Sequence, residues 1–121
     1  MQYLLLIYAD EKLWARETGT DPSTLQAITA AHMRLGAELS EAGALVGGNR
    51  LQPTDTATTI RNVGGAQSLH DGPYAETREQ LAGYYLIEAA DLDAATEWAA
   101  RCPAATIGAV EIRPLWQAPS A

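Results

Sequence analysis

The stretch GYYLIEAADLDAATEWAARCP, residues 83–103, joins a strand pattern directly to a helix pattern. Residues 83–89 are mostly apolar, so both faces of the predicted strand carry apolar side chains. Asp91 is a favoured N-cap residue and begins the predicted helix, which Pro103 ends because proline has no N–H to donate. The apolar stripe of this helix consists of Leu92, Ala95, Ala99 and Cys102. A strand followed at once by an amphipathic helix indicates a fold that mixes sheet and helices.

The first part of the chain shows the same order of elements. Residues 3–9, YLLLIYA, predict a strand with apolar side chains on both faces. Asp21-Pro22 predicts the start of a long helix, because aspartate favours the N-cap and proline the first helical position, and Gly43 predicts its end. The stripe of this helix consists of Leu25, Ile28, His32, Leu35 and Leu39.

The remaining strand patterns cover residues 45–51, 57–63 and 67–70 between the helices, and residues 109–115 after them. Turn-forming residues separate the three middle patterns, so we expect them to form an antiparallel meander. In the last pattern Val110 and Ile112 alternate with charged residues, which places these two side chains inward.

This order of elements predicts an α+β fold: a ferredoxin-like sandwich with an antiparallel sheet and two helices on one face. We expect the other face of the sheet to carry Leu4 or Leu5, Ile60, Leu86 and Ile112. That face is too apolar to lie in water, so we expect a homodimer that packs sheet on sheet. We assign residues 1–117 to a single domain and residues 118–121 to a loose C-terminal tail.

Composition excludes several classes of partner. Eight Lys and Arg stand against 15 Asp and Glu, and a net charge of −7 repels the phosphates of nucleic acids. The single cysteine, Cys102, can form no intrachain disulfide, which fits a reducing cytoplasm. The apolar run at residues 3–9 is too short for a membrane span and lacks the basic start of a signal peptide.

His32 is the first candidate site residue, since it interrupts an otherwise apolar helix stripe. One interpretation is a core histidine that is hydrogen-bonded to a neighbouring backbone group. The other is a general acid or base at the bottom of a cleft, kept neutral by desolvation. Position alone favours the core histidine and leaves the general acid or base as the alternative.

The segment 70–79 holds the other candidates. Asp71 precedes Gly72-Pro73, so it can start a turn, or it can serve as an acid in a cleft. Tyr74 and Arg78 can belong to a solvated loop, or they can supply a phenol donor and a clamp for an anion. Neighbouring residues of a strand point to opposite faces, so His70 and Asp71 cannot both enter one pocket.

No cofactor is expected. Two separate histidines and one cysteine show no spacing that suits a metal ion. The sequence Gly47-Gly48-Asn49-Arg50 is too short for a phosphate-binding loop, and no helix pattern follows it.

The chain resembles the YCII-related family, in the branch named for its Asp-Gly-Pro-Phe signature. The similarity extends over nearly the whole chain and is carried by MQYLLLIYAD (1–10), AHMRLGAELSEAGALVGGNRLQP (31–53), TATTIRN (56–62), DGPYAETREQLAGYYLIEAADLDAATEWAARCP (71–103) and VEIRPLW (110–116). Two positions depart from the signature: Tyr74 replaces its phenylalanine, and Arg78 stands where lysine is usual.

The resemblance implies a ferredoxin-like fold that pairs into a dimeric α/β barrel. It also implies a pocket role for His32, which stands where the wider family has a candidate active-site histidine. The wider family tends to carry an aspartate before the proline that follows the second helix, whereas this chain has Cys102 there. Asp71 is therefore expected to supply the acid.

Two functions follow from the resemblance. One is a cofactor-free acid–base enzyme, of isomerase or lyase type, acting on a small oxygenated organic molecule. A few relatives act on chlorinated hydroxyquinones, and structural cousins isomerise muconolactones. In this enzyme His32 and Asp71 would form the catalytic pair, and Tyr74 or Arg78 would be the donor to an enolate. The alternative is a non-catalytic module that senses a ligand or binds a partner, associated with an extracytoplasmic-function sigma factor.

Overall fold

The structure is a computed structural model, and it describes residues 1–13, 22–75 and 77–119. The expected N-cap residue Asp21 and the side chain of Leu25 lie outside the described part. The strands and α-helices in these ranges are β1 (Gln2–Ala9), α1 (Pro22–Glu41), β2 (Leu45–Arg50), β3 (Thr58–Val63), β4 (Ala66–Asp71), β5 (Gln80–Glu88), α2 (Leu92–Ala100), α3 (Ala104–Ile107) and β6 (Ala109–Pro114).

Four strands form one antiparallel sheet in the order β2-β5-β1-β6. Strand β5 lies between β1 and β2, and β1 lies between β5 and β6, so each long helix connects two strands that flank a third. This is the split βαβ arrangement of ferredoxin-like folds. The predicted α+β class and its antiparallel sheet are confirmed.

The expected meander is wrong in one respect. Strands β3 and β4 pair only with each other and form a separate two-stranded hairpin, whereas β2 pairs with β5. The sequence pattern identified the strands but not their partners, because neighbours in sequence can pair elsewhere when a long connection allows it. Gly64 and Gly65 form the two-residue hairpin turn with φ of 58° and 80°, positive values that glycine adopts without strain.

The core lies between the sheet and the helices. Alternate residues of β1 are buried, and Leu5, Leu39 and Ile87 are the centre of the packed cluster. The opposite face of β1 is half-buried. Ile112 pairs with Leu5 and packs against the core, so its assignment to the outer face is wrong, and Ile60 lies in the hairpin rather than in this sheet.

Local hydrogen bonds define the C-terminal end of α1 and the N-terminal end of α2. Gly43, at φ 70°, follows α1; its N–H donates to the Ser40 carbonyl, and the N–H of Ala44 donates to the Leu39 carbonyl. This pair of bonds is a Schellman motif, which needs glycine at that position. Asp91 caps α2 by accepting a 2.9 Å hydrogen bond from the N–H of Ala94. Both predicted ends are therefore confirmed.

The α2 stripe differs from expectation at two points. Ala95, Ala99 and Cys102 are buried, but Leu92 is 54% exposed because it lies in the first turn, beyond the edge of the core. Pro103 does end α2, yet it also begins the short helix α3, which the sequence pattern did not indicate. Proline suits the first turn of a helix because no N–H is needed there.

The turn at Gly72 closes the open end of the hairpin. Its φ is 123°, a value that residues other than glycine rarely adopt. Its N–H donates to the Ala57 carbonyl at 2.7 Å, and its carbonyl accepts from the Thr59 hydroxyl at 2.8 Å. Gly72 therefore has a structural role in this turn.

Candidate functional site

A cavity of about 310 Å³ lies between α1 and the β2–β5 side of the sheet. Helix α1 contributes Thr29, His32, Met33 and Gly36 to its wall. The strands contribute the remaining wall residues, which are Ile7, Gly48, Asn49, Arg50, Ala82, Gly83, Tyr84 and Tyr85. Most of the wall is apolar, and the polar groups are few, as in pockets for small organic molecules.

Three glycines shape this cavity. A Cβ at Gly83 would lie 2.8 Å from the Asn49 carbonyl oxygen, so the close approach of the two strands favours glycine there. A Cβ at Gly48 would lie 3.0 Å from the Tyr84 carbonyl oxygen, which is a tight contact that a small shift could relieve. Gly36 differs, because a Cβ there would meet no atom within 4 Å. The close packing of the chain therefore does not require glycine at position 36, and the absence of a side chain there leaves the cavity larger.

His32 lies at the cavity wall and touches two other side chains. Its Nδ1 is 3.3 Å from the hydroxyl oxygen of Tyr85 and 3.9 Å from the Sγ of Cys102. The same Tyr85 hydroxyl donates a 3.1 Å hydrogen bond to the backbone carbonyl of His32. The two rings are stacked with centroids 6.4 Å apart. His32 is half-buried, so it is neither sealed in the core nor bonded only to backbone.

All three groups of this cluster are uncharged near neutral pH. Burial lowers the pKa of His32 below 6.5, and the positive charge of Arg50 lowers it further. Burial raises the pKa of Tyr85 to about 12, with a smaller contribution from Cys102. Burial also raises the pKa of the Cys102 thiol, against the opposing effect of a backbone hydrogen bond from Ala104. A neutral imidazole can accept a proton, so this arrangement suits a base.

The low pKa of His32 also affects stability. Its folded-state pKa lies below the unfolded value of 6.5, so the unfolded chain binds the proton more readily. The contribution of His32 to stability is therefore fully present above pH 6.5 and is lost as the pH falls towards the folded pKa.

The structure does not bring the other predicted site residues to this cavity within one chain. Asp71 is exposed at the end of β4, where it pairs with Thr58. Tyr74 is 74% exposed, and the guanidinium of Arg61 lies 4.7 Å from its ring centre. Arg78 is exposed in the connection before β5. Among the described residues, the wall of the cavity includes His32 but none of these three.

Sequence reasoning missed Tyr85 as the partner of His32 and Arg50 as its charged neighbour. A signal for the cavity was present in Gly36, a glycine inside an amphipathic helix, where it costs helix stability. Cys102 stands at the position where the wider family tends to carry an aspartate, and its sulfur lies 3.9 Å from Nδ1 of His32.

No three His, Cys, Asp or Glu side chains in residues 1–13, 22–75 and 77–119 are grouped so that they could hold a metal ion. No helix in the same ranges is long and apolar enough to cross a membrane.

The fold and the cavity together define a class: a ferredoxin-like α+β domain with a neutral histidine in the wall of a small apolar cavity. The chain belongs to the YCII-related domain family, whose sequence profile matches residues 1–119. It is 38% identical over 120 residues to an uncharacterised protein of Rhizobium meliloti (strain 1021), an alignment that covers 95% of this chain and 92% of that protein.

Proposed function

We propose that the cavity binds a small oxygenated organic molecule and that His32 transfers a proton on it without a cofactor. The observation that carries this proposal is the neutral imidazole of His32 in the wall of a largely apolar cavity. A volume of about 310 Å³ suits a molecule with one small ring. We also expect this protein to work in the cytoplasm, where its one cysteine stays reduced.

The chemistry follows from the wall residues. A base removes a proton next to a carbonyl group, which leaves an enolate that needs stabilisation. His32 would take the proton at Nε2, since Nδ1 faces Tyr85 and Cys102. The positive charge of Arg50 would stabilise the enolate oxygen. The returned proton would complete an isomerisation, with no atom gained or lost.

The predicted pair of His32 and Asp71 stays a prediction. It requires Asp71 to reach His32 from a second copy of the chain or after movement of the hairpin. The same holds for Tyr74 and Arg78 as donors, and within one chain Arg50 takes that role more directly.

A suitable test of this proposal uses α-angelica lactone, a small unsaturated lactone that a base converts into its conjugated isomer. His32 would remove a proton from the carbon next to the carbonyl and return it at the methyl-bearing ring carbon. We expect catalysed conversion, followed by NMR, and deuterium in the product when the reaction runs in D2O. The rate should rise with pH and reach half its maximum below pH 6.5, because the pKa of His32 is lowered from that value.

His32→Asn is the matched variant for this assay. Asparagine places an amide nitrogen near the position of Nδ1, so the contact with Tyr85 can persist, but it has no group in place of Nε2. We expect binding to remain and the rate to fall by roughly 100-fold or more, the usual contribution of a general base. A wild-type protein that binds the lactone without turnover or deuterium exchange would contradict proton transfer on this class of substrate.

One observation favours the second candidate function, a ligand-binding module without catalysis. No carboxylate of the described residues lies in the cavity wall, so His32 has no acid partner there within one chain. Such a module, whether or not it is associated with a sigma factor, would bind small ligands equally well before and after His32→Asn, and would show no exchange in D2O.

We further propose that the protein is a homodimer. The face of the sheet opposite the helices carries Leu4, Leu6 and Leu86, which are only half-buried in one chain. The hairpin exposes Ile60 and Leu69, which face each other across its two strands and are 54% and 68% exposed. A two-stranded hairpin alone is marginal in water, so a covering surface would stabilise it.

Light scattering at micromolar concentration tests the dimer. We expect twice the mass of one chain, since a stable interface of this kind buries more than about 1,000 Å² in total. Leu69→Lys is the matched variant, because it places a charge on the hairpin while leaving the core intact, and it should weaken association. A monomer mass for the wild type at this concentration would contradict the dimer.

A further inference from the structure

Tyr85 has two hydrogen-bond contacts with His32 but only one proton to donate. Its hydroxyl oxygen lies 3.1 Å from the His32 carbonyl oxygen and 3.3 Å from Nδ1 of the same residue. A carbonyl oxygen has no proton, so it can only accept. The phenol proton therefore belongs to the carbonyl, because two oxygens at that distance repel each other without a proton between them.

The second contact then fixes the proton of the imidazole. If the phenol proton is directed at the carbonyl, the phenol oxygen can only accept from Nδ1, and Nδ1 must carry the ring proton. The contact is slightly longer than the usual range for such a bond, but the geometry leaves the phenol no other role towards this nitrogen. Nε2 then keeps its lone pair.

We propose that Tyr85 is a positioning residue that holds His32 in the Nδ1–H tautomer, so that Nε2 is the basic nitrogen. This tautomer is the less common one in exposed histidines, so the structure has to select it. The high pKa of Tyr85, about 12, supports the assignment because the phenol keeps its proton at neutral pH.

Cys102 offers the rival arrangement. Its thiol is protonated at neutral pH, since burial raises its pKa, and its sulfur lies 3.9 Å from Nδ1. If the thiol donated to Nδ1, the ring proton would lie on Nε2, and Nε2 could not act as the base. Sulfur is a weak donor, and 3.9 Å is long, so the Tyr85 contact should dominate.

The conclusion that Nε2 takes the proton from a substrate rests on the proposed function of His32 as a base. The tautomer of the resting protein does not depend on that proposal. It can be measured in the resting protein, without substrate. A protein with the Nδ1–H tautomer and no turnover would retain this inference and reject the proposed function, so the two failures are distinguishable.

Two-bond 1H–15N correlation spectra of the whole protein, recorded in mildly alkaline buffer, identify the protonated nitrogen directly. The chain has only two histidines, and the exposed His70 is an internal reference for the unselected tautomer mixture. We expect a protonated, pyrrole-type Nδ1 and an unprotonated, pyridine-type Nε2 for His32. A protonated Nε2 in the wild type would overturn the inference, and this measurement needs no variant.

Tyr85→Phe and Cys102→Ala separate the two candidate partners. Tyr85→Phe removes one oxygen and keeps the ring, and we expect the His32 signals to shift to the mixture shown by His70. Cys102→Ala should leave the Nδ1–H tautomer unchanged. The opposite pattern, with a shift in Cys102→Ala and none in Tyr85→Phe, would assign the role to the thiol instead. In the lactone assay, Tyr85→Phe should lower kcat more than it changes KM, as expected of a residue that orients a base.

Discussion

Replacing Gly108 by alanine is expected to destabilise the protein by about 3 kcal/mol, the upper range for forcing an added group into packed structure. A Cβ at this position would lie 2.0 Å from the carbonyl oxygen of Tyr8 and 3.1 Å from the Cα of Ala9. These are backbone atoms of β1, so no side-chain rotation can relieve the clash.

The location of Gly108 explains why the effect should be large. Its N–H closes α3 by donating to the Ala104 carbonyl at 2.8 Å, and the next residue, Ala109, pairs with Tyr8 at the start of β6. The helix end and the strand register therefore meet at one residue. Moving the backbone of Gly108 away from β1 would disturb both, and a domain of this size has only roughly 5–15 kcal/mol of stability in total.

Thermal unfolding measures this prediction, and Gly47→Ala is its control. Gly47 lies in β2, but a Cβ there would meet no atom within 4 Å and its φ is not positive. We expect Gly47→Ala to leave stability unchanged or to raise it by up to about 1 kcal/mol, because alanine is favoured over glycine inside a strand. Equal melting temperatures for Gly108→Ala and Gly47→Ala would contradict the close approach of β1 to Gly108.

The role of Gly43 could be predicted from the sequence, whereas the role of Gly108 could not. Gly43 stands after an amphipathic run and next to alanine, so local pattern identifies it as a helix end. Gly108 serves a contact between residues 100 positions apart in sequence. No local pattern contains that information, since both partners must be placed in three dimensions before the clash exists.

The same distinction applies to strands and sites. The strand patterns and the turn residues between them identified β3 and β4, because both are properties of short segments, but the pairing of β2 with β5 depends on the whole sheet. His32 was identifiable because a polar residue interrupts an apolar stripe on its own helix. Tyr85 was not, because it lies 53 residues away and its pattern in β5 is that of an ordinary core tyrosine.

Replacing Gly36 by leucine is expected to abolish binding of the lactone while leaving the protein folded. Gly36 lies in the cavity wall on α1, and the space beside its Cα is open, because a Cβ there would meet no atom within 4 Å. A leucine side chain would occupy the space that a ligand needs, and it would extend the apolar stripe that contains Leu35 and Leu39.

The smaller change, Gly36→Ala, should separate binding from stability in one protein. Alanine inside a helix is favoured over glycine by roughly 0.5–1 kcal/mol, so the melting temperature should rise. The added methyl group enters the cavity, so the affinity for the lactone should fall. The glycine at this position therefore lowers the stability of the helix, but it leaves open space in the cavity that a ligand can occupy.

Ser40→Ala is the matched control on the same helix. Ser40 is exposed, one turn beyond Gly36, and it does not line the cavity. We expect a similar small rise in helix stability and no change in affinity, measured by titrating the lactone into 15N-labelled proteins that also carry His32→Asn, in which the lactone binds but is not converted. If Gly36→Leu folds and still binds the lactone as tightly as the wild type, the ligand lies elsewhere, and the role of His32 would have to be sought outside this cavity.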